Sequence, residues 1–289
     1  MTIEYHILRP LLAGVAASLF AAPALAQVQP SEGWVYAEGP ESCGASRQYG
    51  AGEDINRLQL RTYGPGSAVE VTVAGAHLPK EPHSARMVEL GWDGNAFERH
   101  QVGVLGSVDG VPSVNLLTAH RPVSAFAFFF SKTAVAVSPL HPAGETAQLR
   151  VVGNAPSEVR VGSLQEPLRQ LAECEARLMD KWGWGRDYDQ RVATPPEMRN
   201  PQSWFYKAIV YPAVANLTRV SSLLQLRLKV DTNGKVAECV VQSSPGSSQF
   251  GSKNCNGLRR AARFNPALDA QGTPVESYLQ MSITFGRFD

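Results

Sequence analysis

Leu224-Gln225-Leu226-Arg227-Leu228-Lys229-Val230, followed by Asp231-Thr232-Asn233-Gly234, is the most regular stretch of this 289-residue chain. Its apolar residues alternate with polar ones, which is the pattern of a strand with one buried face. Both residues of the pair Asn233-Gly234 tolerate a positive φ, so the sequence predicts a hairpin turn there. The partner strand is expected over residues 235–242, directly before Ser243-Ser244.

A helix and a last strand complete this C-terminal unit. Cys255, Leu258 and Ala262 recur at helical spacing and predict a helix that covers the sheet. Residues 275–285 alternate again and predict the third strand. Its expected inward residues are Val275, Leu279, Met281, Ile283 and Phe285, and its expected outward residues are Tyr278, Gln280, Ser282 and Thr284. The prediction is a β-β-α-β unit, led by a short helix near Tyr211, whose three-stranded antiparallel sheet has one face under helices.

Several short motifs punctuate this unit in a characteristic order. They are Tyr211-Pro212, Asn233-Gly234, Ser243-Ser244, Asn265-Pro266-Ala267 and Gly272-Thr273-Pro274. In this order and spacing, residues 204–289 resemble the C-terminal domain of TonB-family proteins, the periplasmic part of a Gram-negative energy transducer. The chain departs from the family pattern in two loops, where it has Arg219 to Ser222 in place of a glycine and an extra Pro245 before Gly246.

The resemblance implies a binding mode for the last strand. In the family, this strand pairs with a short extended peptide, the TonB box of an outer-membrane receptor, which is strand addition to a sheet edge. The partner is thus expected to be an extended segment of an outer-membrane or periplasmic protein. The implied peptide-binding edge consists of Tyr278, Gln280, Ser282 and Thr284, with Arg287 nearby. The alternative is an edge covered by another part of the chain or by a second copy in a homodimer.

The rest of the chain predicts a multi-part α+β protein. Residues 27–162 carry many short alternating runs separated by turn residues, which is typical of a small β sandwich or a barrel-like domain. Residues 163–183 have an apolar stripe at helical spacing and predict a connecting helix. Residues 184–203 contain Thr194-Pro195-Pro196 and Asn200-Pro201 and predict an extended linker.

The N-terminus predicts export. Residues 1–26 combine Arg9, an apolar run and the cleavage site Ala24-Leu25-Ala26, which together indicate a cleaved secretory signal peptide and a periplasmic protein. An uncleaved inner-membrane anchor, as in typical TonB proteins, is the alternative. No stable membrane span is expected after cleavage.

The four cysteines are expected to form disulfides, because the predicted compartment is oxidising. Cys239 lies in a predicted strand and Cys255 in the helix that should cover it, so we expect these two to pair. Cys43 and Cys174 then pair by elimination.

The sequence indicates a binding protein rather than an enzyme. We find no catalytic constellation, no metal-ligand spacing and no phosphate-binding glycine loop, and we expect no cofactor and no nucleic-acid partner. Residues 27–195 carry a net charge of −4 and residues 196–289 a net charge of +5, so the basic C-terminal unit could meet an acidic partner or its own acidic neighbour. The leading hypothesis is a periplasmic TonB-like adaptor linked to energy-dependent outer-membrane transport. The alternatives are an envelope module that binds peptidoglycan or another glycan, and an envelope enzyme with its site in the β domain.

Overall fold

The computed structural model describes residues 33–49, 56–81, 83–93, 99–119, 125–129, 138–140, 143–144, 146–153, 157–159 and 161–286. The predicted signal peptide and Arg287 lie outside these residues. Within the described ranges, no helix is both long enough and apolar enough to span a membrane.

Eleven strands precede the first helix in the described part of the chain. They are β1 (Val35–Glu38), β2 (Cys43–Tyr49), β3 (Asn56–Thr62), β4 (Val69–Ala74), β5 (Ala85–Trp92), β6 (Arg99–Val108), β7 (Val111–Ala119), β8 (Ala125–Phe129), β9 (Ser138–Pro139), β10 (Ala147–Val151) and β11 (Ser157–Val159). Ten of them form one sheet in the order β1-β2-β3-β4-β7-β6-β5-β10-β11, with the short β9 parallel to β7 and all other neighbours antiparallel. The remaining strand, β8, belongs to a different sheet.

One face of the large sheet curls around an apolar core. Leu60 on β3 and Val71 on β4 belong to the same core as Leu90 on β5 and Leu149 on β10, although these pairs of strands are well separated in the sheet order. All four residues line one small apolar cavity of about 30 Å³. The N-terminal part is therefore a curved, barrel-like sheet rather than a two-sheet sandwich.

Helix α1 (Gln165–Lys181) lies within the range predicted for the connecting helix and packs on this core. Its apolar stripe, which includes Leu168, Leu171 and Leu178, is buried there. Cys174 on this helix forms a disulfide with Cys43 on β2, with a Cα–Cα distance of 6.0 Å, which confirms the pairing expected by elimination.

The residues after α1 differ from the extended linker that the sequence predicts. They contain helix α2 (Tyr188–Arg191), strand β12 (Glu197–Met198) and the start of helix α3 (Pro201–Ala208), which α4 (Ala213–Leu217) follows. β12 pairs with residues 264–265, and Tyr188 packs against Tyr278. The proline pattern predicted the breaks in this stretch but gave no sign of these long-range contacts, which fold it onto the C-terminal unit.

The C-terminal unit has the predicted element order. After α4 come β13 (Ser222–Val230), β14 (Val236–Ser243), α5 (Ser248–Ala261), β15 (Phe264–Asn265), β16 (Ala267–Leu268), β17 (Pro274–Val275) and β18 (Ser277–Phe285). β14, β13 and β18 form the predicted antiparallel sheet, in this order. The structure differs from the prediction in two details. Residues 274–275 are not part of the last strand but pair with β16. In addition, β8 from the N-terminal part joins the sheet beside β18 as a fourth, parallel strand.

Helix α5 covers one face of this sheet, as predicted. Phe250 and Leu258 on the helix share a core with Leu226, Leu228 and other inward residues of β13 and β18. Cys255 on α5 forms the predicted disulfide with Cys239 on β14, with a Cα–Cα distance of 5.5 Å.

The turn after β13 is longer than the hairpin that the sequence predicts. Only Gly234 has a positive φ, at 73°, while Asn233 does not. The Asp231 carboxylate accepts hydrogen bonds from the backbone N–H groups of Asn233 and Lys235 at 2.9 and 2.8 Å. The side chain of Asp231 thus organises this turn, as expected of an Asx motif.

The other motif residues form turns, caps and short pairings. The Tyr211 hydroxyl donates to the Val220 carbonyl at 2.6 Å, and Ser244 Oγ accepts from Gly251 N–H at the start of α5. The remaining placements are Pro212 at the N-terminal cap of α4, Ser243 opposite Gln225, Ala267 opposite Val275, Pro274 opposite Leu268, Gly272 at a positive φ in the turn between β16 and β17, and Pro266 between β15 and β16. These residues therefore shape the turns and helix ends of the C-terminal unit.

Candidate functional site

The candidate site is the outer edge of β18, the edge that faces away from β13. β18 pairs with β13 over nine residues, from Ser277↔Val230 to Phe285↔Ser222, without a register shift. Successive residues of a paired antiparallel strand direct their backbone groups alternately to the two neighbouring strands. Every second residue of β18 therefore offers its N–H and C=O to the outer edge.

Tyr278 identifies which residues these are. Its backbone N–H donates to the Tyr188 hydroxyl at 3.2 Å, and its carbonyl accepts from the same hydroxyl at 3.4 Å. Because Tyr278 bonds outward, alternation makes Gln280, Ser282 and Thr284 the other outward-bonding residues. The Tyr188 hydroxyl is buried, and this burial raises the pKa of Tyr188. One end of the edge is therefore closed by a single side chain.

Strand β8 occupies the other end of this edge. Ala125–Phe129 pairs in parallel with Met281–Phe285, in the register Ala125↔Met281 to Phe129↔Phe285. The sequence left three states of the edge open: free for a guest, covered by the chain itself, or covered by a second copy. In the structure the chain itself covers it.

The side chains of β18 on the sheet face opposite α5 are also covered. This corrects the prediction of a sheet with one open face. Tyr278, Gln280, Ser282 and Thr284 are only 7%, 2%, 2% and 2% exposed. Gln280 Nε2 donates to the Tyr63 carbonyl at 2.6 Å, and the Tyr278 hydroxyl donates to the Pro65 carbonyl at 3.2 Å. The sheet therefore lies between α5 on one face and the N-terminal domain on the other. The polar residues predicted a solvent-exposed face, but Tyr278 and Gln280 satisfy their side chains with hydrogen bonds across the domain interface.

Arg227 on β13 anchors the same interface. Its guanidinium bonds both carboxylate oxygens of Glu41, at 3.1 and 3.2 Å, and lies 4.1 Å from the centre of the Trp182 ring. Gln242 on β14 donates to the Tyr63 carbonyl at 2.8 Å. The basic C-terminal unit thus meets its own acidic neighbour at Glu41, one of the two partners that the charge asymmetry suggested.

Two tryptophans that could serve a glycan site are engaged in this packing. Trp182 and Trp184 line a cleft of about 890 Å³ beside the linker. Arg227 stacks on Trp182, and Trp184 packs against Tyr188 and Tyr278 at ring-centroid distances of 5.7 and 5.8 Å. Their contacts therefore stabilise the domain interface, and glycan binding stays a prediction.

Sequence reasoning missed most of the residues that surround the edge. Glu41, Tyr63 and Tyr188 lie in segments interpreted as a separate β domain or a linker, so nothing in their spacing pointed to β18. The one available signal was the pair of glutamines Gln242 and Gln280, because amide side chains satisfy buried backbone groups without burying a charge.

A second, polar cleft of about 520 Å³ lies between the N-terminal sheet and the C-terminal unit. Glu70 lines it and is 8% exposed. Its carboxylate accepts a 2.8 Å hydrogen bond from the buried Tyr63 hydroxyl. Burial raises the pKa of Glu70, and the Tyr63 hydrogen bond and the Arg61 charge only partly oppose this increase.

Glu70→Gln is expected to make the protein more stable at neutral pH. A carboxyl group whose pKa is raised by folding stabilises the protein below its unfolded pKa, and this contribution is lost as the pH rises through the folded pKa. The glutamine carbonyl still accepts the Tyr63 hydrogen bond but carries no buried charge. Thermal unfolding between pH 4 and 8 should show variant and parent equal at the acid end and the variant more stable at the basic end. Glu238→Gln, at an exposed position, is the control, and a difference for Glu70→Gln that does not change with pH would contradict the prediction.

Comparison with known families finds a match for the C-terminal unit. Residues 207–286 match the family described as Gram-negative bacterial TonB protein C-terminal. No curated protein and no solved structure matches the chain. The matched range starts inside α3 and ends one residue after β18, so it contains the whole antiparallel sheet and α5. Proteins of this family belong to the Gram-negative envelope and take part in energy-coupled transport. Residues 207–286 of this chain are a TonB C-terminal domain.

Proposed function

We propose that this chain is a periplasmic TonB-like adaptor that binds an extended segment of an outer-membrane or periplasmic protein. The guest would pair with the outer edge of β18, through the backbone groups of Gln280, Ser282 and Thr284. On this proposal residues 1–26 direct export, and the chain binds its partner without catalysing a reaction.

The observation that carries this proposal is the pairing of β8 with β18. It supports the view that the edge accepts a five-residue strand with its backbone groups in register. Strand addition obtains its affinity from main-chain hydrogen bonds, so the buried outward side chains are not needed for contact with the guest.

Titration of the isotope-labelled full chain with a synthetic TonB-box peptide tests the proposal. We expect NMR shifts at the amides of Gln280, Ser282 and Thr284, and little change along β14. The control is the same peptide with a central proline, because proline lacks the N–H that a ladder requires. A proline at Ser282 of the chain would be a poorer control, because it would also remove the Ser282 hydroxyl, which donates to Gln225 inside the sheet at 2.6 Å. Equal binding of both peptides, or shifts confined to β14, would reject strand addition at this edge.

A further inference from the structure

We propose that β8 is a resident guest strand that keeps the β18 edge closed and must leave before an external peptide can bind. This inference rests on the proposed function and adds its regulation. The proposed occupant is a named part of this chain, Ala125–Phe129, and its place is the edge at Met281–Phe285.

The first argument is that β8 and an added peptide need the same backbone groups. Ser282 lies opposite Phe126 and Thr284 opposite Phe128 in the parallel register. Since Ser282 and Thr284 bond outward, the geometry of a parallel ladder directs the Ala127 N–H to the Ser282 carbonyl and the Ala127 carbonyl to the Thr284 N–H. A peptide that adds to this edge would need the same N–H and C=O groups, so occupancy by β8 and by the peptide are mutually exclusive.

The second argument is that β8 has the shortest strand pairing in its sheet. It stands at the end of the sheet order β14-β13-β18-β8, so β18 is its single strand neighbour among the described strands. The pairing is parallel and five residues long, whereas β13 and β18 pair in antiparallel over nine. Parallel pairs are slightly less stable per residue, so the backbone pairing of β8 is the weakest in this sheet.

The third argument is that β8 is joined to the N-terminal sheet on both sides. The chain leaves the N-terminal sheet after Ala119 and returns to the same place, because Thr118 and Ala119 on β7 pair with Ser138 and Pro139 on β9. The residues directly before and after β8 lie outside the described ranges. A strand that belongs to the same chain as the edge competes in an intramolecular reaction, at a high effective concentration. A free peptide at micromolar concentration must therefore overcome a strong internal competitor.

The decisive variant is Ala127→Pro in the full chain. Proline removes the N–H that β8 directs to the Ser282 carbonyl and should detach β8. We expect hydrogen exchange at the Ser282 and Thr284 amides to accelerate by about tenfold or more, because these amides lose their partners. Ile283 bonds inward to β13 and should keep its protection. Ala127→Ser keeps the backbone N–H and is the matched control, and Phe128→Pro, whose N–H points away from β18, should accelerate exchange less than Ala127→Pro.

The second measurement is binding of a labelled synthetic peptide with the sequence of residues 123–130. Its affinity for Ala127→Pro is expected to exceed that for the parent chain and for Ala127→Ser by about tenfold or more, because the internal competitor is gone. Unchanged exchange at Ser282 and Thr284 in Ala127→Pro would overturn the resident-guest inference. Accelerated exchange without any binding of this peptide or of a TonB-box peptide would instead reject the proposed function of the edge. Unfolding of the variant as a whole would show as lost protection at Ile283 and would also overturn the inference, because β8 would then be essential to the fold.

Discussion

Gly257→Ala is expected to destabilise the protein by about 3 kcal/mol, the upper end of the usual cost of overpacking a close contact. A Cβ atom at this position would lie 1.9 Å from the carbonyl oxygen of Ala208 and 2.8 Å from its carbonyl carbon. Both are backbone atoms of the α3 end, which Asn254 fixes by bonding the backbone N–H and C=O of Val210 at 2.7 and 3.1 Å. The helices must therefore separate to accept even one methyl group. The expected sign is opposite to that of an ordinary helix, where replacing glycine by alanine stabilises by about 1 kcal/mol.

Two further substitutions in α5 calibrate this result. Ser252→Ala lies on the exposed side of the same helix and should change the free energy of unfolding by less than about 0.5 kcal/mol. Gly251→Ala should have an intermediate effect, because its Cβ would meet the Val241 side chain at 2.6 Å rather than backbone. Urea unfolding of the three variants gives the order directly. A Gly257→Ala variant as stable as the parent would show that α3 and α5 do not approach as closely as described.

Replacing Cys43 and Cys174 together by serine is expected to cost about 5 kcal/mol in the chain-entropy model of a disulfide, because the bond closes a loop of 131 residues. The same replacement of Cys239 and Cys255 should cost about 3 kcal/mol, because that loop spans only 16 residues. The two bonds also differ in what they join. The first holds α1 against β2 of the barrel-like sheet, whereas the second holds α5 against β14 of the C-terminal sheet.

Equilibrium unfolding of the two double variants, with the parent under oxidising and reducing conditions, tests this order. Reduction of the parent should lower stability by more than either double variant does, because it opens both loops. A larger loss from the short loop than from the long one would contradict the loop-length argument.

Local sequence patterns predicted the C-terminal unit well because its elements follow each other directly. Leu224 to Val230 alternates as a strand with one apolar face should, and Cys255, Leu258 and Ala262 mark the covering side of α5. Val69 to Val73, one of the short alternating runs of residues 27–162, marks β4 for the same reason. In each of these cases, the residues that determine the element lie within the element itself.

The environment of the β18 edge was not predictable in this way. Tyr63 lies 217 residues from the Gln280 side chain that donates to it, and β8 lies about half the chain away from β18. Polar alternation in β18 is equally consistent with water and with a hydrogen-bonded interface, since both satisfy polar groups. The linker was misjudged similarly, because Tyr188 is buried only through its contact with Tyr278.

The carbonyl oxygen of Tyr63 accepts hydrogen bonds from two glutamines, Gln242 on β14 and Gln280 on β18, which flank β13 on opposite sides. This one acceptor fastens both flanking strands to the N-terminal domain. One guanidinium nitrogen of Arg227 on β13 bonds both carboxylate oxygens of Glu41 nearby. A pull on β18 along its length would load the hydrogen bond between Gln280 and Tyr63 in shear. Tension applied to the last strand would therefore be carried in part by the barrel-like domain.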